Sequence, residues 1–403
     1  MLKDHRYLKL LFSAGGGQLI GISASFLVPF LYSPEKVGIY GIFLSVNRIF
    51  SAIASGNLEG LVYLTSNSER RIHLLVLPLR FLLGVVLVLC ILVVSFSDFL
   101  NTLFQLAPGT SIWWFIPLMV LLQGTIQVAG SFFNAEKNER DLHTLQITQS
   151  ALPGIGKVSL FKFGAMGLVV GHFAGLLIAF LRAVTRLPLE LWSALWKKGY
   201  GVYFQRYKSW WSWGIPSALI NLFGLEALFL YTQHGVGVVF TGILTLGFRY
   251  VKMPLELLNG ALSKELLSDG SGLGTEALRS VVLRSIRRQV KWSLPFLVVV
   301  FFGAEPIVEG IWGEEWRDAG RLAKTVAPFL FVHGIGSMIA PLADLLGKLR
   351  TEFIFMTLLT AVRVVVLVLF WDSWWEAVHW FFMFSIAVWV AYIVVMLSWL
   401  KKK

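Results

Sequence analysis

Three arginines fall deep inside apolar runs of this chain. Arg48, Arg249 and Arg363 each lie about a dozen residues into such a run, out of easy reach of either end. In hydrocarbon a charge at that depth costs about 2.5–3.5 kcal/mol even on lenient scales, so it faces a cavity or a partner. A guanidinium presents paired donors that match a phosphate or carboxylate, so these positions suggest recognition of an anion rather than bond-making chemistry. Arg249 also opens a stripe. Lys252, Glu256, Asn259 and Ser263 follow it at steps of 3, 4, 3 and 4, which is one face of a helix. Ser45, Arg48, Ser55 and Glu59 form a thinner stripe in the first half.

Two readings of these stripes compete. In one, Arg249 and Lys252 neutralise Glu256 at i,i+7 and i,i+4 while helices pack. In the other, which the depth of the arginines favours, the stripes line a cleft whose cationic excess suits an anionic substrate. This reading predicts Arg48, Arg249, Lys252, Arg363 and Asn259 as substrate-binding residues. Glu226, Glu256 and Asp344 are the carboxylates placed to couple an ion. Glu226 is the better of them, because Glu256 is expected to be neutralised by Arg249 and Lys252. Arg80, a turn or two from a span's edge, is expected to snorkel.

Other residues point to packing. His172, alone in its span, reads as a packed polar group, and the single Cys90 as a buried packing residue. Gly15-Gly16-Gly17 follows no strand and precedes no Lys-Ser/Thr, so it is a helix contact or bend rather than a phosphate loop. Residues 275–291, TEALRSVVLRSIRRQVK, read as a basic amphipathic helix lying on the cytoplasmic leaflet. The sequence holds no metal cluster, nucleotide motif or nucleophilic triad. No enzyme, metal or cofactor is expected.

The elements that must position these residues are membrane helices. Apolar residues make up 56% of 403 positions and charged residues only 14%, against about 25% charged in soluble domains. Apolar stretches long enough to cross a bilayer run near 8–32, 37–64, 74–96, 111–134, 142–157 and 163–187. A second set runs near 209–231, 236–262, 291–304, 325–346, 352–371 and 376–399. Buried in lipid, each must satisfy its own backbone, so they are helices. With the N-terminus inside, cytoplasmic loops hold 24 of the 35 Lys and Arg, and outside loops hold six, Lys157 among them. That bias orients the chain with both termini cytoplasmic. It also accounts for the net charge of +12 without nucleic acid.

The halves repeat. Phe30-Leu31-Tyr32 recurs as Phe229-Leu230-Tyr231 and Val37-Gly38 as Val236-Gly237, both at a spacing of 199. Arg48 falls on Arg249 after a two-residue slip, and Pro117 and Lys137 fall on Pro328 and Lys348 at a spacing of 211. Odd spans map onto odd spans, which is a parallel repeat. The expected fold is therefore all-α and polytopic, with about twelve transmembrane helices in two six-helix lobes related by a pseudo-two-fold axis. The N-terminal lobe is 1–188, a cytoplasmic linker 189–208, and the C-terminal lobe 209–403.

Two stretches carry a family resemblance. Residues 32–44, YSPEKVGIYGIFL, resemble the segment joining the first two helices of Wzx-type oligosaccharide flippases. Residues 313–350 resemble the G-E-x-W-x-x-A-G stretch that enters the tenth helix of lipopolysaccharide-biosynthesis flippases. Residues 209–270 follow the same pattern. The resemblance implies membership of the multidrug/oligosaccharidyl-lipid/polysaccharide exporter superfamily, in the inner membrane. It also implies flipping of undecaprenyl-pyrophosphate-linked glycan from the cytoplasmic to the periplasmic leaflet for O-antigen or related surface polysaccharide. The partners implied are that lipid-linked oligosaccharide, membrane lipids and glycan polymerase machinery. A drug/cation antiporter of the same superfamily would need an acidic cleft, and a glycan polymerase or ligase a large periplasmic loop. Reporter fusions test the orientation. Fusions at Ser66, Lys137, Lys197, Gly274 and Lys403 should read cytoplasmic, and those at Asn101, Gly313 and Ser373 periplasmic. Two reversals would contradict it.

Overall fold

The computed structural model describes residues 19–197 apart from 57, 66 and 108, residue 205, and residues 208–400 apart from 271–272. Gly15-Gly16-Gly17 and the side chain of Asp344 lie outside the described residues. Among the described residues there are twelve long helices and no strand. They are α1 (Leu19–Leu31), α2 (Pro34–Ile53), α3 (Ser68–Leu103), α4 (Phe115–Ala135), α5 (Glu139–Ser159) and α6 (Gly164–Arg186). After the short helix Leu189–Ala194 come α7 (Lys208–Gly235) and α8, made of Val238–Leu244, Thr245–Tyr250 and Val251–Gly270 in one run. The last four are α9 (Thr275–Trp312), α10 (Arg317–Ile339), α11 (Leu349–Leu369) and α12 (Trp374–Ser398).

Ten of these helices are long and apolar enough to cross a membrane. Of the other two, α1 is described only from Leu19, and α5 carries Thr144, Gln146, Thr148, Gln149 and Ser150. The outer faces are apolar. Leu87, Val94, Phe302, Val368 and Leu369 are all more than half exposed, which in water would mark a binding patch but in lipid is the ordinary surface. Cys90 belongs to that surface. It is exposed rather than buried, because in a membrane helix an apolar residue faces outward as readily as inward.

The chain divides into two compact units. One comprises residues up to Tyr32 with Ile39–Leu222, the other Ser33–Gly38 with Phe223–Lys403. The repeated Tyr residues do the same job in each. Tyr32 Oη donates to the carbonyl of Lys157 at the end of α5, at 2.6 Å. Tyr231 Oη reaches the carbonyls of Phe370 and Trp371, just past α11, at 3.2 and 3.0 Å. A first helix is thus pinned to the end of a fifth in both units, as the sequence repeat implies.

Three elements differ from the sequence expectation. Residues 275–291 do not form a separate surface helix. They are the first half of the 38-residue α9, and their apolar residues Leu278 and Val282 are buried against protein. Arg80 does not snorkel. Its Nε donates to the carbonyl of Leu195 at 2.9 Å, and Nη2 to those of Ala194 and Lys197, so it caps the short helix Leu189–Ala194. Carbonyls at a helix end lack intrahelical donors, and a cation there is favoured by both hydrogen bonds and the helix dipole. Finally, α2 ends at Ile53, and Glu59 sits on the separate turn Leu58–Leu64. The thinner stripe is therefore broken. Ser55 Oγ donates to Glu59 at 2.5 Å, Gln127 Nε2 donates to its other oxygen at 2.5 Å, and both Ser55 and Glu59 are buried.

Candidate functional site

In the second unit the charges of the α8 stripe sort into two pairs. Arg249 is 6% exposed and donates through Nη2 to Glu226 of α7, itself fully buried, at 3.0 Å. Its guanidinium carbon also lies 4.3 Å from the centroid of the Phe229 ring. Lys252 pairs with Glu256 at 2.8 Å along the same helix. Arg249 is therefore not neutralised by Glu256, as the stripe suggested, but by a carboxylate 23 residues away on the neighbouring helix. Glu256 is 47% exposed, whereas Lys252 is only 12% exposed.

The backbone around Arg249 is unusual. Thr245–Tyr250 is a π-helical turn. Pro254 has no N–H to give the carbonyl of Tyr250, and the turn just before it widens. Such turns concentrate at functional sites. The turn shifts side-chain stepping on either side, which brings Arg249 toward α7 while Asn259 and Ser263 face α9 and α10. Asn259 accepts from Gln289 Nε2 at 2.6 Å and contacts Ser337 at 3.4 Å, and Ser263 donates to the carbonyl of Met338 at 3.1 Å.

Arg363 is 1% exposed. Its Nε donates to Ser385 Oγ at 2.9 Å, and its carbon lies 5.2 Å from the Phe381 ring centroid and 5.7 Å from that of Phe329. It is enclosed by α10 and α12 in an aromatic core that also holds Phe248 and Phe382. The structure does not put it beside Arg249 in one polar surface. His333 packs against Phe329 and Trp389, with centroids 5.2 and 5.1 Å away.

In the first unit Arg48 is half-buried on α2. Around it Asn47 and Ser51 both donate to Gln123 Oε1 of α4, at 3.1 and 2.5 Å, and Ser45 Oγ turns back to the carbonyl of Gly41. Tyr40 Oη and His172 Nδ1 share a hydrogen bond of 2.9 Å, so His172 is a packed, bonded residue. Sequence reasoning missed Lys157. It is in the last turn of α5 rather than in an outside loop, and its Nζ lies 5.7 Å from the Tyr40 ring centroid. The only signal for it was its place at the very edge of a span. No group of three or more His, Cys, Asp or Glu could hold a metal among the described residues.

Apolar helices that enclose charged side chains within each unit define a multi-pass membrane protein, and its fold is shared with known transporters. An inward-facing multidrug resistance MATE-family transporter of the MOP superfamily aligns with a TM-score of 0.74 over 95% of this chain and 93% of that one, at 14% identity. The lipid II flippase MurJ, in an inward closed conformation, aligns with a TM-score of 0.69 over 96% and 87%, also at 14% identity. An outward-facing MATE-family transporter aligns at 0.68 over 98% and 97%, with 13% identity. No curated sequence matches significantly. The chain belongs to the polysaccharide biosynthesis protein family, whose model matches residues 27–321.

The Arg249–Glu226 pair makes a prediction about stability. Removing one partner of a buried ion pair strands the other at a cost of about 3–5 kcal/mol, whereas neutralising both costs far less. Arg249→Ala should therefore lower the melting temperature and membrane abundance sharply, and Glu226→Gln in the same chain should restore most of both. Equal loss in the single and double variants would show that the pair does not hold α7 to α8.

Proposed function

We propose that this chain flips undecaprenyl-pyrophosphate-linked oligosaccharide from the cytoplasmic to the periplasmic leaflet of the bacterial inner membrane, by alternating access, for O-antigen or related lipopolysaccharide assembly. The observation that carries this reading is family membership in polysaccharide biosynthesis, on a fold that a lipid II flippase also uses. Cationic side chains within the spans suit the diphosphate. In this reading Arg48 and Lys252 contact it directly, since both keep some exposure. Arg249 is the inner ligand and reaches the substrate by exchanging Glu226 for the diphosphate. Glu226 is then where an ion couples: protonated, it no longer competes for Arg249. Asn259 steadies α8 against α9 and α10. Arg363, enclosed among rings, packs the core. Both termini are cytoplasmic, and membrane lipids and a glycan polymerase are the partners.

The multidrug transporters that share the fold raise a second reading, export of cationic drugs. That chemistry needs available carboxylates. Here Glu226 is held by Arg249, Glu256 by Lys252, and Glu59 accepts from Ser55 and Gln127. A polymerase or ligase needs a sizeable outside loop, yet α9 ends at Trp312 and α10 begins at Arg317.

Purified protein in liposomes should speed the flipping of a fluorescent undecaprenyl-diphosphate oligosaccharide, read as loss of protection from a membrane-impermeant quencher. Losing one charge-assisted ligand costs about 2–5 kcal/mol in a desolvated site. Arg48→Ala and Lys252→Ala should therefore slow flipping on the order of 30-fold or more at equal protein density. Flipping no faster than in protein-free liposomes, with proton-driven uptake of a cationic dye instead, would replace this reading with the drug-export one.

A further inference from the structure

Lys157 has no role in the reading above, yet the first unit is built to hold it in place. Helices α5 and α6 meet backbone to backbone. A Cβ added to Gly156 would lie 2.3 Å from the carbonyl oxygen of Gly171, and one on Gly171 would lie 2.4 Å from that of Gly156. Farther along, a Cβ on Gly175 would lie 2.2 Å from the nitrogen of Pro153. Only glycine permits this approach. It brings together the two residues that follow the central glycines, Lys157 and His172. The bond from Tyr32 Oη to the Lys157 carbonyl fixes the end of α5.

Tyr40 of α2 then joins the two. Its ring lies 5.7 Å from Lys157 Nζ, and its hydroxyl bonds His172 Nδ1 at 2.9 Å. Arg48 follows Tyr40 by eight residues, about two turns along the same face of α2. Arg48 and Lys157 both lie within electrostatic reach of His172. An ammonium, an imidazole and a phenol thus converge from three helices, with the Arg48 guanidinium two turns farther along α2. Among the described residues no carboxylate pairs with Lys157. In the second unit, by contrast, Arg249 and Lys252 each have a carboxylate. A lysine at this place, with a ring beside it and no carboxylate on it, suits an anionic ligand.

We infer that Lys157, with Tyr40, His172 and Arg48, forms an anion subsite of the first unit that takes the diphosphate of a prenyl-linked substrate. Lys157 acts as a compact point charge beside the Arg48 fork, and Tyr40 and His172 supply the neutral hydrogen-bonding groups. The inference rests on the flippase reading for its ligand, and it adds Lys157, Tyr40 and His172, which neither stripe contained, to Arg48.

The test uses the full chain in detergent micelles with undecaprenyl diphosphate as probe. Undecaprenol, which has the same tail without charge, and inorganic pyrophosphate serve as comparison ligands. Lys157→Gln should weaken binding of undecaprenyl diphosphate about tenfold or more and leave undecaprenol binding unchanged. Lys157→Arg should keep most of the affinity, and Lys162→Gln, an exposed neighbour, should match wild type. A second measurement needs no variant: undecaprenyl diphosphate should shield Lys157 of the wild-type chain from an amine-acetylating reagent, read by mass spectrometry, and undecaprenol should not. Wild-type affinity in Lys157→Gln, or acetylation of Lys157 unaffected by saturating probe, would overturn the subsite. Protection by inorganic pyrophosphate at the same concentration would assign the site to a free anion and overturn the lipid ligand. Flipping of the oligosaccharide at equal rates by wild type and Lys157→Gln would remove the subsite alone. Tight, Lys157-dependent binding without oligosaccharide flipping would uphold the subsite and remove the flippase reading.

Discussion

A charge carried into the hydrocarbon has to be met there by another group, and that constraint orders both units. In the second unit it is met by protein. Arg249 is held by Glu226 and the face of Phe229, Lys252 by Glu256, and Arg363 by Ser385 and two aromatic rings. These contacts tie α7 to α8 and α11 to α12, so the electrostatics are also the packing. Attraction in a poorly solvated interior only repays desolvation when geometry and hydrogen bonds are good. The π turn at Thr245–Tyr250 supplies that geometry by turning Arg249 toward α7.

The two units share a scaffold but differ in how the constraint is met. The pinning Tyr32 and Tyr231 bonds are equivalent, and in both units polar side chains connect the second helix to the fourth, through Gln123 in one and Ser337 in the other. The first unit gathers Lys157 and His172 around Tyr40, and among the described residues no carboxylate pairs with Lys157. A fold common to multidrug transporters and a lipid II flippase leaves the ligand undetermined. The anionic substrate we propose draws on the interior charges together with the family's link to polysaccharide biosynthesis.

Much of the fold was legible because hydropathy over some twenty residues reports a membrane helix directly: among the described residues each of the twelve stretches contains a helix, and ten of these helices are long and apolar enough to cross a membrane. The site was legible only along single helices. Arg249 and Lys252 could be placed on one face by counting, but counting along a helix offered Glu256 as the partner for both. Glu226 is on another helix, and only tertiary packing brings it to Arg249. The same limit hid the Arg80 cap on Leu195 and the meeting of Lys157 with Tyr40. Asking whether a residue is hydrophobic also failed to say where it faces. Cys90 turned out exposed, and Leu278 and Val282 turned inward on a helix read as lying on the surface.

The central claim is that the Arg249 charge is shared in turn between Glu226 and the substrate's diphosphate. Comparing the affinity of wild type and Glu226→Gln for undecaprenyl-diphosphate oligosaccharide tests it most directly. With the competing carboxylate neutralised, the variant should bind the substrate more tightly, by about tenfold for a charge pair of this kind, while undecaprenol binds both proteins equally. Equal or weaker binding of the diphosphate lipid by a folded Glu226→Gln protein would contradict the claim and leave Arg249 a structural residue.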